Sequence, residues 1–274
     1  MKITCVQAVF FSPTGTTKYI VTEIARQIAE KLNLPFTEHN VTLPKMRQKT
    51  LVFGKDQLVI VGIPVYAGRA PNKILPFFQE QLKGNDALAI PIVTFGNRSY
   101  DNALIELRNE LEHNNFHTIA AAAFATQHAF SEKLAHGRPD SEDIRQMTAF
   151  AEQVASKSEQ IADLPTQILV RGEEPIPAYY TPLDMDGKPA VFLKAKPKTM
   201  DTCTDCGICA NVCPMGSIDA KQSQEVSGIC IKCQACVKYC PEHAKYFDDP
   251  AFLSHVKMLE HHYTRRAENE LFLN

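Results

Sequence analysis

Short apolar stretches alternate with amphipathic stretches along the first 165 residues of the chain. Stretches that are apolar at successive positions are typical of strands buried on both faces of a parallel sheet. Such strands are predicted over residues 3–11, 36–41, 57–63, 87–94 and 118–125. Apolar stripes at helical spacing predict helices over residues 18–32, 72–82, 102–112 and 140–154. The alternation predicts an α/β fold with a doubly wound, parallel five-stranded sheet over residues 1–165.

The composition changes after residue 165 and divides the rest of the chain into three parts. Residues 166–200 are rich in proline and predict an extended linker, and the apolar run at 190–193 indicates an ordered strap that packs against the protein. Residues 201–249 hold a dense group of cysteines. Residues 250–274 carry Phe252, Val256 and Leu259 at helical spacing and predict a helical C-terminal tail.

Eight of the nine cysteines lie between residues 203 and 240, in two copies of one pattern offset by 27 residues. Each copy reads Cys-x2-Cys-x2-Cys-x3-Cys-Pro, the bacterial iron–sulfur pattern in which the fourth cysteine binds the other cluster. The pattern predicts a small α+β bacterial ferredoxin domain with two [4Fe-4S] clusters. The first cluster is predicted on Cys203, Cys206, Cys209 and Cys240, and the second on Cys230, Cys233, Cys236 and Cys213.

Two other uses of these cysteines fit the pattern less well. Zinc sites usually employ separated Cys-x2-Cys pairs rather than three evenly spaced cysteines and a fourth before proline. Disulfides at this density would be strained, in a chain that is otherwise poor in cysteine and shows no signal-peptide cleavage site. A reducing compartment, the cytoplasm, is therefore expected. The ninth cysteine, Cys5, lies in the first predicted strand, where a buried and unreactive thiol is expected.

A turn rich in hydroxyl side chains follows the first predicted strand and precedes the first predicted helix. Hydroxyls and free backbone N–H groups at a helix N-terminus form an anion site suited to a terminal phosphate. Taken alone, such a turn is more often a simple helix cap, and it contains neither the dinucleotide-binding glycine pattern nor a Walker loop. The predicted phosphate loop consists of Ser12, Pro13, Thr14, Gly15, Thr16 and Thr17.

Two further loops follow the third and fourth predicted strands, at the same carboxyl edge of the sheet where ligands bind in this class of fold. Tyr66 and Tyr100 are expected to flank a planar ring, while Gly68 and Gly96 let the backbone approach its polar rim. The plainer alternative is a set of ordinary loop aromatics. The predicted binding residues of these loops are Pro64, Val65, Tyr66, Ala67, Gly68, Arg69, Thr94, Phe95, Gly96, Asn97, Tyr100 and Asp101.

With these loops in place, residues 1–165 resemble a flavodoxin, and the whole chain resembles the flavodoxin–ferredoxin fusion family of anaerobic bacteria and archaea (EFR-type ferredoxins). The resemblance rests on the phosphate loop, the segments 95–98 (FGNR) and 137–140 (GRPD), and the cysteine pattern. It implies FMN and two [4Fe-4S] clusters. The chain departs from many flavodoxins in having no tryptophan, so a tyrosine would have to stack on the flavin.

Three charged or titratable side chains stand near the predicted flavin site. His128 follows the fifth predicted strand and is interpreted either as a proton donor to the flavin or, more simply, as a histidine bonded to loop backbone. Arg69 and Arg98 are expected either to stabilise an anionic reduced flavin or only to solvate its rim.

Charge and hydropathy exclude several classes of function. With 29 Lys and Arg against 31 Asp and Glu, the net charge of -2 offers no basic excess for nucleic acid, and no apolar run approaches the length of a membrane span. The favoured function is an electron-transfer protein or oxidoreductase whose partners are redox proteins such as a ferredoxin, a flavoenzyme or a reductase. The alternatives are a flavin-dependent reductase of a quinone or nitro compound, and an iron–sulfur redox sensor.

Overall fold

The computed structural model describes residues 2–274. Their helices are α1 (Thr16–Leu32), α2 (Leu75–Glu80), α3 (Ala103–His113), α4 (Ser141–Gln160), α5 (Ile208–Asn211), α6 (Ala235–Lys238) and α7 (Pro250–His262). Their strands are β1 (Cys5–Phe10), β2 (Phe36–Asn40), β3 (Leu51–Val52), β4 (Gln57–Pro64), β5 (Leu82–Lys83), β6 (Ala87–Phe95), β7 (Phe116–Thr118), β8 (Ala121–Ala125), β9 (Lys198–Thr199), β10 (Lys245–Tyr246) and β11 (Glu270–Phe272).

The main sheet has the order β11-β8-β6-β4-β1-β2, with β7 beside the start of β6. All of its pairs are parallel except β11 with β8. The order 2-1-4-6-8 of the main parallel strands reverses direction at β1, which is the flavodoxin-like doubly wound arrangement. The predicted fold class is confirmed. The carboxyl ends of β1, β4, β6 and β8 meet at one edge of the sheet, where ligands bind in such folds.

Two apolar cores cover the two faces of this sheet. One contains the inward faces of α1 and α4, and the other contains those of α2 and α3. Met215 and Ile231, from the cysteine-rich segment, also pack against the second core. Gly62 in β4 allows α1 to lie close, because a Cβ there would be 2.1 Å from Val21 Cγ2.

The strand predicted at residues 118–125 is divided in the structure into β7 and β8. The chain leaves strand geometry at Ile119 and Ala120, where the Ile119 N–H still donates to the Ala89 carbonyl. The helix predicted at 140–154 continues to Gln160, beginning at a capping box in which Asp140 and Asp143 each accept a backbone N–H of the other.

The prediction of a helical tail is correct for residues 250–262 and wrong for residues 263–274. After α7 the chain crosses the edge of the sheet and adds β11 antiparallel to β8. The buried Asn97 side chain holds this return, donating to the carbonyls of Tyr263 (2.6 Å) and Arg265 (2.7 Å) and accepting from the Ala267 N–H (3.1 Å). The hydrogen bonds from Asn97 therefore outweigh the helical preference of the residues that follow α7.

The proline-rich strap packs on the loops at the carboxyl edge of the sheet. The Tyr180 N–H donates to the Ala67 carbonyl (2.9 Å), and the Tyr179 hydroxyl donates to the Ala70 carbonyl (2.8 Å). The guanidinium of Arg98 lies 3.9 Å from the centre of the Tyr180 ring. The strap is ordered through these contacts.

The cysteine-rich segment contains the short helices α5 and α6, one in each sequence copy. Its strand β10 pairs antiparallel with β9 at the end of the strap, and side-chain contacts attach it to the rest of the protein. Arg47 donates to the Pro214 carbonyl (2.7 Å), which joins the region after β2 to this segment. None of the helices formed by residues 2–274 has the length and apolar character required to cross a bilayer.

Candidate cofactor sites

The predicted phosphate loop forms a tight turn into α1. Gly15 adopts a left-handed conformation (φ 91°), which favours glycine, and the helix begins at the next residue. The Ser12 hydroxyl accepts the Lys18 N–H (2.9 Å). Within residues 2–274 the backbone N–H groups of residues 14–17 donate to no protein atom. These four donors, at the positive end of the α1 dipole, suit an anion such as a phosphate.

The end of the loop is fixed to the sheet by a pair of hydroxyls. Thr17 Oγ1 and Thr94 Oγ1 are 2.7 Å apart and buried, and they join the first turn of α1 to the end of β6. The Ser12 N–H donates to Thr42 Oγ1 (2.9 Å), which ties the loop to the end of β2. The loop is therefore preorganised by neighbouring strand ends rather than by its own sequence alone.

A cavity of about 240 Å³, called here the central cavity, lies at the carboxyl edge of the sheet. It brings together parts of all three predicted loops, and both Thr14 and Thr16 line it next to the free N–H donors. The predicted residues that line it are Thr14, Thr16, Thr17, Pro64, Val65, Tyr66, Ala67, Gly68, Thr94, Phe95, Gly96 and His128. The predicted residues that do not line it are Ser12, Pro13, Gly15, Arg69, Asn97, Tyr100 and Asp101.

The structure contradicts the role predicted for Tyr100. Its side chain is fully buried beneath the loop, its hydroxyl donates to Glu270 Oε2 (2.5 Å), and the Arg171 guanidinium lies 4.2 Å from the ring centre. Asn97 is likewise occupied by the C-terminal return. Because both residues are used to hold a segment that the sequence did not place here, Tyr66 is the predicted tyrosine that remains at the cavity.

Arg69 and Asp101 are also diverted from the cavity, by charge pairing. Arg69 pairs with the buried Glu106 and lies 4.6 Å from the centre of the Tyr179 ring. Asp101 pairs with Arg98, and it is Arg98 that lines the cavity. Two charges of opposite sign in the same loop satisfy each other, which the spacing of the sequence does not reveal.

Three segments that the sequence did not assign to the site close the central cavity. They are the strap, helix α7 and the loop between the first two cysteines of the second copy. The apolar run in the strap indicated packing, but not its location. These three segments contribute Tyr180, Pro182, Phe192, Ile231, Lys232, Cys233, His255 and Leu259 to the wall. The loops after β6 and β8 add Arg98, Ser99, Thr126, Gln127, Ala129 and Phe130.

His128 is held as a neutral imidazole. Its ring lies on Gly96, where a Cβ would be 2.2 Å from His128 Cδ2, and its Nδ1 accepts the Phe130 N–H (3.0 Å). Burial, reinforced by the nearby His255 and by the positive charges of Lys238 and Arg98, lowers the pKa of His128 to about 4. At neutral pH the proton therefore resides on Nε2, and the side chain can donate a hydrogen bond without carrying a charge.

The eight clustered cysteines surround two separate cavities. Each cavity takes three cysteines from one copy and the fourth cysteine from the other, which is the crossed arrangement that the spacing predicts. Cys203, Cys206, Cys209 and Cys240 line one, called here the outer cavity. Cys213, Cys230, Cys233 and Cys236 line the other, called the inner cavity because Cys233 also lines the central cavity.

The donor set of both cavities fits iron–sulfur clusters. The Ser217 N–H donates to Cys213 Sγ (3.3 Å) and the Ala244 N–H to Cys240 Sγ (3.2 Å), at equivalent positions of the two copies. Burial raises the pKa of Cys236 to about 12, so a bound metal would be needed to hold this thiol as a thiolate. In residues 2–274, no three Cys, His, Asp or Glu side chains converge on a point suited to a single metal ion.

Comparison with known proteins identifies the cysteine-rich segment. The sequence profile of the 4Fe-4S dicluster domain family matches residues 202–245. This segment is a 4Fe-4S dicluster ferredoxin domain. It follows a flavodoxin-like α/β fold, and the chain has an electron-transfer or oxidoreductase role. A search of curated proteins found no match.

Solved flavodoxins were also found by comparison of structures. An archaeal flavodoxin is 14% identical over 58% of this chain and 99% of its own, with a TM-score of 0.41. A flavodoxin of Streptococcus pneumoniae TIGR4 is 21% identical over 56% of this chain and 99% of its own, with a TM-score of 0.37. Flavodoxin 2 of Bacillus cereus is 15% identical over 57% of this chain and 99% of its own, with a TM-score of 0.38.

Proposed function

We propose that this protein transfers electrons between an FMN in the central cavity and two [4Fe-4S] clusters in the ferredoxin domain. The observation that carries the proposal is the position of Cys233, which lines both the central and the inner cavity. A cluster bound through Cys233 would have one of its own ligands in the wall of the flavin site. No mobile carrier is needed for that step.

The residues around the central cavity support a flavin mononucleotide. The free N–H groups of residues 14–17 and the hydroxyls of Thr14 and Thr16 would hold the terminal phosphate. The backbone of the 64–68 and 94–96 loops would border the ring, with Tyr66 as the aromatic neighbour. When bound, FMN supplies conversion between two-electron and one-electron transfer.

The outer cavity is suited to exchange with another protein. Cys206 of the outer cavity is exposed, whereas each of the four cysteines of the inner cavity is buried or only partly exposed. We infer a route from the central cavity through the inner cluster to the outer cluster, and from there to a redox partner such as a ferredoxin, a flavoenzyme or a reductase. A cluster near the surface shortens the distance to that partner.

Anaerobic purification with iron and flavin analysis tests the cofactors. Two clusters correspond to about eight irons per chain, and denaturation should release FMN. Four irons, or zinc in their place, would refute the cluster assignment. In stopped-flow experiments, reduction of the flavin should be followed by bleaching of the clusters within the same molecule, at a rate independent of protein concentration. A rate that rises with protein concentration would indicate transfer between molecules instead.

A variant of the phosphate loop separates FMN from other flavins. Thr14→Val removes a hydroxyl beside the proposed phosphate, so the Kd for FMN should rise by about tenfold, the value of one hydrogen bond to a charged group. The Kd for riboflavin, which has no phosphate, should not change. Thr22→Val, on α1 but outside the cavity, is the matched control. Equal loss of FMN and riboflavin would contradict the phosphate assignment.

The wall of the central cavity favours one second candidate, a reductase of a small planar acceptor. His255 Nδ1 lies 2.8 Å from the Leu183 carbonyl and donates to it, which leaves Nε2 as an acceptor, whereas His128 has a donor at Nε2. Both line the cavity with Phe130 and Phe192. A quinone or nitro compound could use these groups. Steady anaerobic turnover of such an acceptor would favour this function, and binding without turnover would favour the carrier.

A further inference from the structure

The two copies of the cysteine pattern differ in charge at a buried position beside the clusters. Ile218 and Lys245 are 27 residues apart and therefore equivalent, each five residues after the fourth cysteine of its copy. Ile218 lines the inner cavity and Lys245 lines the outer cavity. The residues before them, Ser217 and Ala244, make the same N–H to Sγ hydrogen bond. One copy thus places an ammonium where the other has a hydrocarbon.

Lys245 is 2% exposed and its ammonium is held by neutral oxygens. Nζ donates to Thr199 Oγ1 (2.6 Å) and to the Ser223 carbonyl (2.5 Å). Among residues 2–274, no carboxylate lies within ion-pair distance of it. A buried charge without a counter-charge is costly, and a cluster with four thiolate ligands carries the missing negative charge.

The other charges near the clusters are placed differently. Lys232 lines the inner cavity and donates to the carbonyls of Leu193 and Cys230. Its equivalent in the first copy is Asp205, which is exposed and accepts from the Ser223 hydroxyl (2.8 Å). Lys245 Nζ and Cys209 Sγ of the outer cavity both lie against the Ser223 carbonyl, at 2.5 and 3.8 Å. The effect of the Lys245 charge is therefore expected mainly at the outer cluster.

We propose that Lys245 is a potential-setting residue, whose buried ammonium raises the reduction potential of the outer cluster and, to a smaller extent, that of the inner cluster. Reduction adds one electron to a cluster that is already anionic. A fixed positive charge in a low-dielectric site stabilises that added electron, and the effect grows as the distance decreases. The inference rests on the proposed binding of two clusters. It assigns Lys245 a role that ligand spacing does not require.

Redox titration of the intact protein, followed by electron paramagnetic resonance, tests this role. Lys245→Met removes the charge with little change in length, and Lys245→Ile installs the residue that the other copy carries. Both should shift the outer-cluster potential to more negative values, and shift the inner-cluster potential less. Lys245→Arg should retain a potential near that of the parent. Lys221→Met removes an exposed lysine of the same domain and should leave both potentials unchanged because solvent screens that charge.

The outer-cluster signal is assigned with Cys206→Ser, which alters a ligand of the outer cavity alone. Unchanged potentials in both neutral variants, with full iron content, would overturn the proposal. If the neutral variants lose clusters while Lys245→Arg keeps them, the requirement for a positive charge supports it. Loss of clusters in all three, arginine included, would assign a purely structural role and overturn it. Absence of cluster signals in the parent protein would instead refute the proposed function.

Discussion

Tyr66 and Cys233 line the same cavity, although one follows a strand of the flavodoxin-like sheet and the other belongs to the ferredoxin domain. Burial raises the pKa of Tyr66, and negative charge at Cys233 and Cys230 raises it further. The tyrosine therefore stays a neutral phenol beside a predicted cluster ligand. This pair marks the place where the two halves of the protein meet.

The first prediction concerns the cysteine at this junction. Cys233→Ser should disturb the inner cluster and slow electron transfer from the flavin to the outer cluster, because the proposed route passes through the inner one. Cys206→Ser is the matched control, since it alters the outer cavity and leaves the flavin-to-inner step intact. The measurement is the rate at which the cluster absorbance bleaches after photoreduction of the flavin. Equal rates in Cys233→Ser and the parent would rule out this route.

The second prediction concerns the contact between Gly96 and His128. A Cβ at residue 96 would lie 2.2 Å from His128 Cδ2 and 2.9 Å from its Cα, so the histidine loop has to move. Gly96→Ala should lower the free energy of unfolding by about 1–3 kcal/mol, the usual cost of overpacking, and should weaken flavin binding. Thermal unfolding and flavin titration measure both effects.

Gly54→Ala is the control for this substitution. The Cβ it adds would lie 3.3 Å from Asp56 Oδ1, the end of a flexible side chain, so the change in stability should stay within about 0.5 kcal/mol. Similar behaviour of the two variants would show that the cavity wall tolerates a shifted His128.

The third prediction concerns the pH dependence of stability. Burial holds the pKa of His128 at about 4, below its ordinary value near 6.5, so the unfolded chain takes up a proton that the folded protein does not. Stability should therefore fall as the pH decreases from about 6.5 towards 4, by at most about 1.4 kcal/mol per pH unit from this residue.

Anaerobic thermal unfolding between pH 5 and 7 measures this dependence. His128→Phe should weaken it, whereas His261→Gln, at an exposed position of α7, should not. An unchanged pH dependence in His128→Phe would mean that His128 is protonated in the folded protein.

The fourth prediction concerns the residue that anchors the C-terminal return. Asn97→Ala removes three hydrogen bonds to the backbone of residues 263–267 and leaves buried groups unpaired. The free energy of unfolding should fall by about 1–3 kcal/mol for each group left unsatisfied. Hydrogen exchange should increase at residues 263–272, because β11 is attached through this return. Asn211→Ala, on the exposed end of α5, should leave the exchange unchanged.

Much of the fold follows from local pattern. The strands of the parallel sheet are apolar at successive positions because both faces are covered, so β1, β4 and β6 are visible in the sequence to within a residue or two. β11 is not visible, since its three residues have no periodicity and it forms by pairing with β8. The helical pattern of α7 gave no sign of its end at His262, because the hydrogen bonds that redirect the chain come from Asn97.

The candidate sites show the same division. The cysteine spacing alone predicts which thiols share a cavity, because the ligand geometry of a cluster restricts the local backbone. The roles of the loop residues were less predictable. Tyr100, Arg69 and Asp101 have side chains suited to a flavin site, but they bind other residues of the protein instead. Tyr100 is hydrogen-bonded to Glu270, Arg69 is paired with Glu106, and Asp101 is paired with Arg98. Sequence position placed them at the right edge of the sheet. It could not say towards which neighbour each side chain turns.

The sequence by itself determined the α/β fold, the ferredoxin domain and the crossed grouping of its cysteines, because these depend on periodicity and on short spacing. Only the tertiary structure decided that Cys233 joins the inner cavity to the central one, and that Lys245 is buried beside the outer one. Both facts depend on how segments distant in the chain pack together. The burial and the charge that each residue experiences are set by that packing, which no local pattern encodes.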